Sequence, residues 1–146
     1  MPTAAKMVAA VMTAMTLFLA AEASRAGLPQ GTPAGYLSLI VAGVGFITGW
    51  LVLGTLTGRG YLAAMGLGLR TAVTAVFWAL LLFSLWKMIE LSLKLRYDGP
   101  MQAILDVFAI MIENGRMVLL PDVLVALGVG GAVAGLFAEF AGRRWN

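Results

Sequence analysis

The 146-residue sequence contains no cysteine and no histidine, and only 12% of its residues are charged. Without cysteine the chain has no disulfide, no thiol nucleophile and no thiolate metal ligand. Without histidine it lacks the most common general base and metal ligand. Most catalytic and metal-binding templates therefore fail, and we expect no enzyme activity, no cofactor and no metal site.

Hydrophobic residues make up 61% of the sequence, and the mean hydropathy is +0.94. A soluble domain carries about 25% charged residues, so most of this chain is expected to be surrounded by lipid. Ten basic and seven acidic residues give a net charge of +3. This excess is too small to indicate a nucleic-acid-binding surface. The lipid bilayer is therefore the predicted partner, and nucleic acid is not.

Four apolar stretches are long enough to cross a bilayer as helices. The sequence predicts an all-α integral membrane protein with spans at about 4–24, 36–56, 69–88 and 121–141, and a loop over 26–35. Charged residues mark the span edges, with Arg70 and Lys87 at the two ends of the third. Glu139 and Arg143 are expected at the water-exposed end of the fourth.

The first stretch also fits a signal peptide. In that alternative Lys6 is the basic start, the run to Ala20 is the apolar region, and Ala21-Glu22-Ala23 is the cleavage site, so that residues 1–23 would be removed. Either way, Lys6 and Glu22 lie on opposite sides of the membrane. Basic residues divide five against five between the two sides, so the positive-inside rule does not decide the orientation. The uneven distribution of acidic residues favours both termini in the cytoplasm.

Between the third and fourth spans, residues 101–113 are predicted to form an amphipathic helix. One face is apolar and consists of Met101, Ile104, Leu105, Phe108, Met111 and Ile112. The opposite face carries Gln102, Asp106 and Glu113. Asn114-Gly115 is the predicted stop. We expect the apolar face to hold this helix against the extension of the third span, with Lys87 or Lys94 near its acidic residues.

Small residues at helical spacing favour close packing of helices in lipid. The sequence has three glycine pairs four residues apart: Gly45 and Gly49, Gly54 and Gly58, and Gly131 and Gly135. One interpretation is homodimerisation; the favoured one is packing of the second span against the fourth within one chain. Met12 and Met15 share a face that suits a soft metal, although filling of gaps in apolar packing is the favoured role.

Arg59 and Arg70 are the candidate anion-contacting residues. Eleven residues are close to three helical turns, so a helix through both would place the two guanidinium groups on one face, where they could bind an oxyanion. The favoured alternative is that both are anchors at the headgroups, because a cation at the edge of a span is ordinary.

Four short stretches resemble the TrgA family of small bacterial membrane proteins, which is associated with tellurite resistance. They are Met-Pro-Thr-Ala-Ala-Lys at 1–6, Gly-Arg-Gly-Tyr at 58–61, Arg-Tyr-Asp-Gly-Pro-Met at 96–101 and Arg-Arg-Trp at 143–145. With the length and four spans, the resemblance implies an inner-membrane protein that contributes to tellurite resistance by transport or membrane maintenance, and it assigns no residue a role. The alternative function is an accessory or assembly factor that binds another membrane complex through the glycine faces and the 101–113 helix.

Overall fold

The computed structural model describes residues 3–25, 37–94 and 98–145, which are largely helical and contain no strand. The α-helices are α1 Thr3–Arg25, α2 Leu37–Leu51, α3 Tyr61–Leu93, α4 Pro100–Val118 and α5 Pro121–Arg144, with a short 3-10 helix at Leu53–Thr55. By length and composition, α1, α2 with the 3-10 helix, α3 and α5 can each cross a membrane. The all-α membrane fold is confirmed. The predicted loop over 26–35 and Tyr36 lie outside the described residues.

Glycines bring α2 against α1. A Cβ atom on Gly45 would lie 3.0 Å from the carbonyl oxygen of Thr13, and one on Gly49 would lie 2.7 Å from that of Ala9. The contact moves towards the start of α1 as α2 advances, so the two helices are antiparallel. The favoured prediction, α2 against the last span, named the wrong neighbour: these glycines face α1.

Helix α5 packs between α1 and α3. On the α3 side, a Cβ on Gly68 would collide with the carbonyl of Gly131, and a Cβ on Gly135 would collide with that of Ala64. Helices α3 and α5 are therefore antiparallel and in backbone contact. One cluster of the buried core consists of three alanines and a leucine: Ala9, Leu53, Ala134 and Ala138.

Four threonine hydroxyl groups in the bundle are satisfied within their own helices. Each donates to the backbone carbonyl four residues earlier, at 2.8 to 2.9 Å: Thr13 to Ala9, Thr16 to Met12, Thr48 to Val44 and Thr71 to Leu67. Lipid offers no hydrogen-bond partner, so this arrangement lets threonine reside in a span without an unpaired donor.

Helix α3 is longer than the bundle that it belongs to. It begins at Tyr61, eight residues before the predicted start, and its 33 residues correspond to about 50 Å. Asp122, at the start of α5, lies nine residues before Gly131; counting nine residues along α3 from Gly68 places it level with Phe77. The 16 residues of α3 beyond Phe77 therefore extend about 24 Å past the N-terminal end of α5. We call α1, α2, α5 and residues 61–78 of α3 the bundle.

Helix α4 runs further than predicted. Asn114 donates its side-chain amide to the carbonyl oxygen of Ile110 at 2.8 Å, so the predicted Asn114-Gly115 stop is wrong. The helix ends instead at Val118, because Leu120 precedes Pro121 and adopts an extended backbone with ψ of 138°. A proline disfavours helical geometry in the residue before it and is itself tolerated in the first turn of α5.

Candidate functional site

Beyond the bundle, α3 and α4 form an antiparallel pair that we call the distal hairpin: residues 79–93 of α3 together with α4. A Cβ on Gly115, near the end of α4, would lie 4.0 Å from Leu80 in α3. One turn further along the same face of α3, Ser84 is fully buried. Because Ala75 is nine residues earlier, or half a turn away, α4 covers the side of α3 opposite to the one that α5 covers.

The side of α3 that packs on α5 continues into the hairpin without a covering helix. Its buried positions in the bundle are small residues at alternating spacings of four and three: Gly68, Ala72 and Ala75. The same spacing leads to large residues, which we call the distal stripe: Leu82, Trp86, Ile89 and Leu93. Trp86 is 72% exposed and Leu93 80% exposed. An apolar stripe at this repeat is the pattern by which helices pair.

The predicted packing of α4 through its apolar face is wrong. Val107 and Ile110 are the buried residues of this helix. Five residues of the predicted apolar face are instead exposed: Met101, Ile104, Leu105, Phe108 and Ile112. Helix α4 thus has one face against α3, a second apolar face that is open, and a polar face. The open face adds to the apolar surface of the distal hairpin.

Exposed charges show which side of the distal hairpin meets water. Lys94 donates to Glu90 in its own helix at 3.0 Å, and both side chains are more than half exposed. Lys87, two turns before Lys94 along the helix, is also exposed. An exposed ion pair of this kind contributes about 0 to 1 kcal/mol. The pair therefore indicates which face of the hairpin is in contact with water but contributes little to stability.

At the opposite end of the bundle, a buried carboxylate holds the turn before α3. Glu139 is 1% exposed, whereas the sequence placed it at a water-exposed helix end. Its Oε2 accepts the backbone N–H of Gly58 at 2.6 Å, and its Oε1 accepts that of Gly60 at 3.1 Å. Both glycines have positive φ, 97° and 103°, a conformation that favours glycine.

Arg143 completes this arrangement. Its Nε donates to Oε1 of Glu139 at 2.9 Å, and its guanidinium lies 4.8 Å from the ring centre of Tyr61. The carboxylate is thus matched by two N–H donors and one cation, which is the condition for burying a charge. Sequence reasoning missed this role, although two glycines around Arg59 and a carboxylate one turn before Arg143 were visible. Gly58 consequently serves the turn and not a helix contact.

The two candidate anion-contacting arginines lie in different environments. Helix α3 begins at Tyr61, so Arg59 is in the preceding turn and the shared helix face does not form. Arg70 is exposed and lies nine residues past Tyr61 and eight before Trp78. It is therefore near the middle of the bundle and not at a span edge. A guanidinium that faces lipid at mid-membrane costs about 2.5 to 3.5 kcal/mol.

The remaining candidate positions belong to packing. Gly54 lies against the side chain and backbone of Lys6, where α1 begins. Met12 packs against the buried core, and Met15 lines an open apolar groove between α1 and α2 with Ala14, Phe18, Leu19 and Ala42. Among the described residues no group of three or more metal-binding carboxylates, histidines or cysteines occurs.

Comparison of the chain with protein-family models, with curated proteins and with solved structures gave no match. Two features of the described residues bear on function: the distal hairpin and the buried carboxylate. The carboxylate accepts hydrogen bonds from two backbone N–H groups and from Arg143 and holds the turn before α3. The hairpin leaves its apolar surface uncovered.

Proposed function

We propose that this chain is an accessory membrane protein that binds another protein through its distal hairpin. The observation that carries the proposal is that α3 continues past the bundle. On the side that packs on α5 within the bundle, this extension carries large apolar residues. The distal stripe and the open face of α4 together expose on the order of 1,000 Å² of apolar surface.

The resemblance to the TrgA family suggests the process that this protein supports. We propose that it contributes to tellurite resistance in the bacterial inner membrane, with both termini in the cytoplasm. The distal hairpin then lies on the opposite side, because α1 begins and α5 ends at the other end of the bundle. The groove between α1 and α2 is lined by apolar residues, so it does not provide a polar path for a solute.

Growth on tellurite, with and without the gene, tests the process, and intracellular tellurium content tests the mechanism. An accessory protein expressed alone in an unrelated host leaves tellurium content unchanged, whereas a transporter alters it. If removal of the gene leaves tolerance unchanged, the link to tellurite is refuted. That outcome does not bear on the distal hairpin, which is tested separately.

A matched pair of variants tests the distal hairpin. Leu93 is 80% exposed on the hairpin, and Leu62 is 88% exposed on the bundle. We expect Leu93→Ala to lower tellurite tolerance at unchanged protein level and Leu62→Ala to leave it unchanged. A photo-crosslinking residue at position 93, but not at 62, should give a protein adduct in the native host. Equal behaviour of the two positions would overturn the assignment of this surface.

A further inference from the structure

Within the bundle, helix α3 has an outward face on the side opposite to α5, which α4 covers only further along the helix, at Leu80 and Ser84. This outward face carries Gly66, Arg70, Val73 and Phe77, at spacings of four, three and four. All four are exposed, and a Cβ on Gly66 would meet nothing within 4 Å. In the membrane this face meets lipid or another span, so one cation lies on an otherwise apolar stripe.

The depth of Arg70 follows from the packing of α5. Gly68 and Gly131 are in backbone contact, so Arg70, two residues further along antiparallel α3, is level with Val129. Asp122 and Glu139 lie seven residues before and ten after Val129. Arg70 is therefore within about two residues of the midpoint between these two carboxylates, and about 12 Å of helix separates it from either Tyr61 or Trp78.

Within the part of the chain that the structure describes, no acidic side chain pairs with Arg70. The three ion pairs there join Glu22 to Arg25, Glu90 to Lys94 and Glu139 to Arg143. Thr74 donates its hydroxyl to the backbone carbonyl of Arg70 at 2.9 Å. This hydrogen bond involves the main chain of Arg70 and not its guanidinium. An arginine side chain reaches about 6 to 7 Å, so it does not span the distance to either headgroup layer.

We propose that Arg70 and Gly66 form a docking site for a membrane-spanning helix of a different protein that carries an aspartate or glutamate at mid-membrane. The planar guanidinium suits bidentate pairing with a carboxylate, and Gly66, one turn away, lets a helix backbone approach closely. A second copy does not fit this face, because symmetric pairing through α3 places two Arg70 cations together. This site is separate from the distal hairpin and does not depend on its role.

A synthetic transmembrane peptide provides the probe. The full-length protein, labelled at Trp145→Cys, is reconstituted in phosphatidylcholine vesicles with a leucine-alanine peptide that carries a dye and one central aspartate. The matched peptide carries asparagine in its place. The native chain has no cysteine, so the label has one attachment site. Energy transfer measures association, and we expect the aspartate peptide to associate about tenfold more tightly than the asparagine peptide.

Three variants locate the effect. Arg70→Gln should abolish the preference for the aspartate peptide, and Gly66→Leu should weaken association with it. Arg59→Gln, which removes a cation from the turn outside α3, should retain the preference. Trp86→Ala, in the distal stripe, should also retain it, so failure of this site and failure of the distal hairpin are distinguishable.

Several outcomes would overturn the proposal. Equal association of the two peptides, or a preference that survives Arg70→Gln, would show that the guanidinium does not select a carboxylate. Loss of the preference when anionic phosphatidylglycerol is added would identify the lipid headgroup as the partner. Energy transfer between two labelled copies that disappears in Arg70→Gln would identify a second copy on this face.

Discussion

Replacing Glu139 by alanine should destabilise the bundle because one buried side chain holds three groups. The carboxylate accepts N–H bonds from Gly58 and Gly60 and one from Arg143, at 2.6 to 3.1 Å. Hydrogen bonds to a charged group contribute about 1.5 to 3 kcal/mol each, but Arg143 is 53% exposed and water can replace part of what is lost. We therefore expect a loss of about 2 to 4 kcal/mol in the free energy of unfolding.

The measurement is unfolding in mild detergent with increasing sodium dodecyl sulfate, followed by circular dichroism. The matched control is Glu90→Ala, which removes a carboxylate that is 55% exposed and also pairs with the cation four residues later. It should cost less than about 1 kcal/mol. If Glu139→Ala cost no more than Glu90→Ala, the carboxylate would not hold the turn before α3, and its burial would need a different explanation.

Two further pairs of substitutions test packing. Gly68→Ala should destabilise the protein strongly, since its Cβ would collide with the Gly131 carbonyl. Gly66→Ala on the same helix meets open space and should be neutral or stabilising by up to about 1 kcal/mol. Similar midpoints of the two variants in a denaturant titration would contradict the packing of α3 on α5. Ser84 is buried with an Oγ that has no hydrogen-bond partner among the described residues, so Ser84→Ala should be neutral or stabilising. Ser84→Leu should separate α4 from α3 and increase proteolysis between the two helices. Increased stability of the leucine variant would show that this site has spare volume.

The membrane location and the helical class follow from composition and run length. Stretches such as Met7 to Ala21, which contain no charge, are soluble only in lipid, and lipid requires each span to satisfy its own backbone hydrogen bonds. These are local properties, so they are readable from the chain. The start of α5 at Pro121 could be predicted for the same reason, since proline is tolerated in the first turn, whereas the helix ends at Arg144, three residues beyond the predicted end.

Which helices pack against each other could not be predicted from the sequence. Gly45 and Gly131 sit in similar glycine-rich stretches, yet one faces α1 and the other α3, because glycine permits close approach without selecting a neighbour. The apolar face of α4 likewise predicted amphipathicity and not which apolar residues would be covered.

Depth and burial of charge were decided only by the tertiary structure. Arg70 was predicted as a span edge because it precedes an uncharged run, whereas contact between Gly68 and Gly131 places it near mid-bundle. Glu139 was predicted at a wet end because it is near Arg143, whereas the turn containing Gly58 and Gly60, some 80 residues earlier in the chain, folds over it. The sequence by itself determined that this chain is helical and membrane-embedded, since hydropathy is additive along the chain. Which charges are buried, and which apolar faces stay open, depends on contacts between distant segments, which hydropathy does not encode.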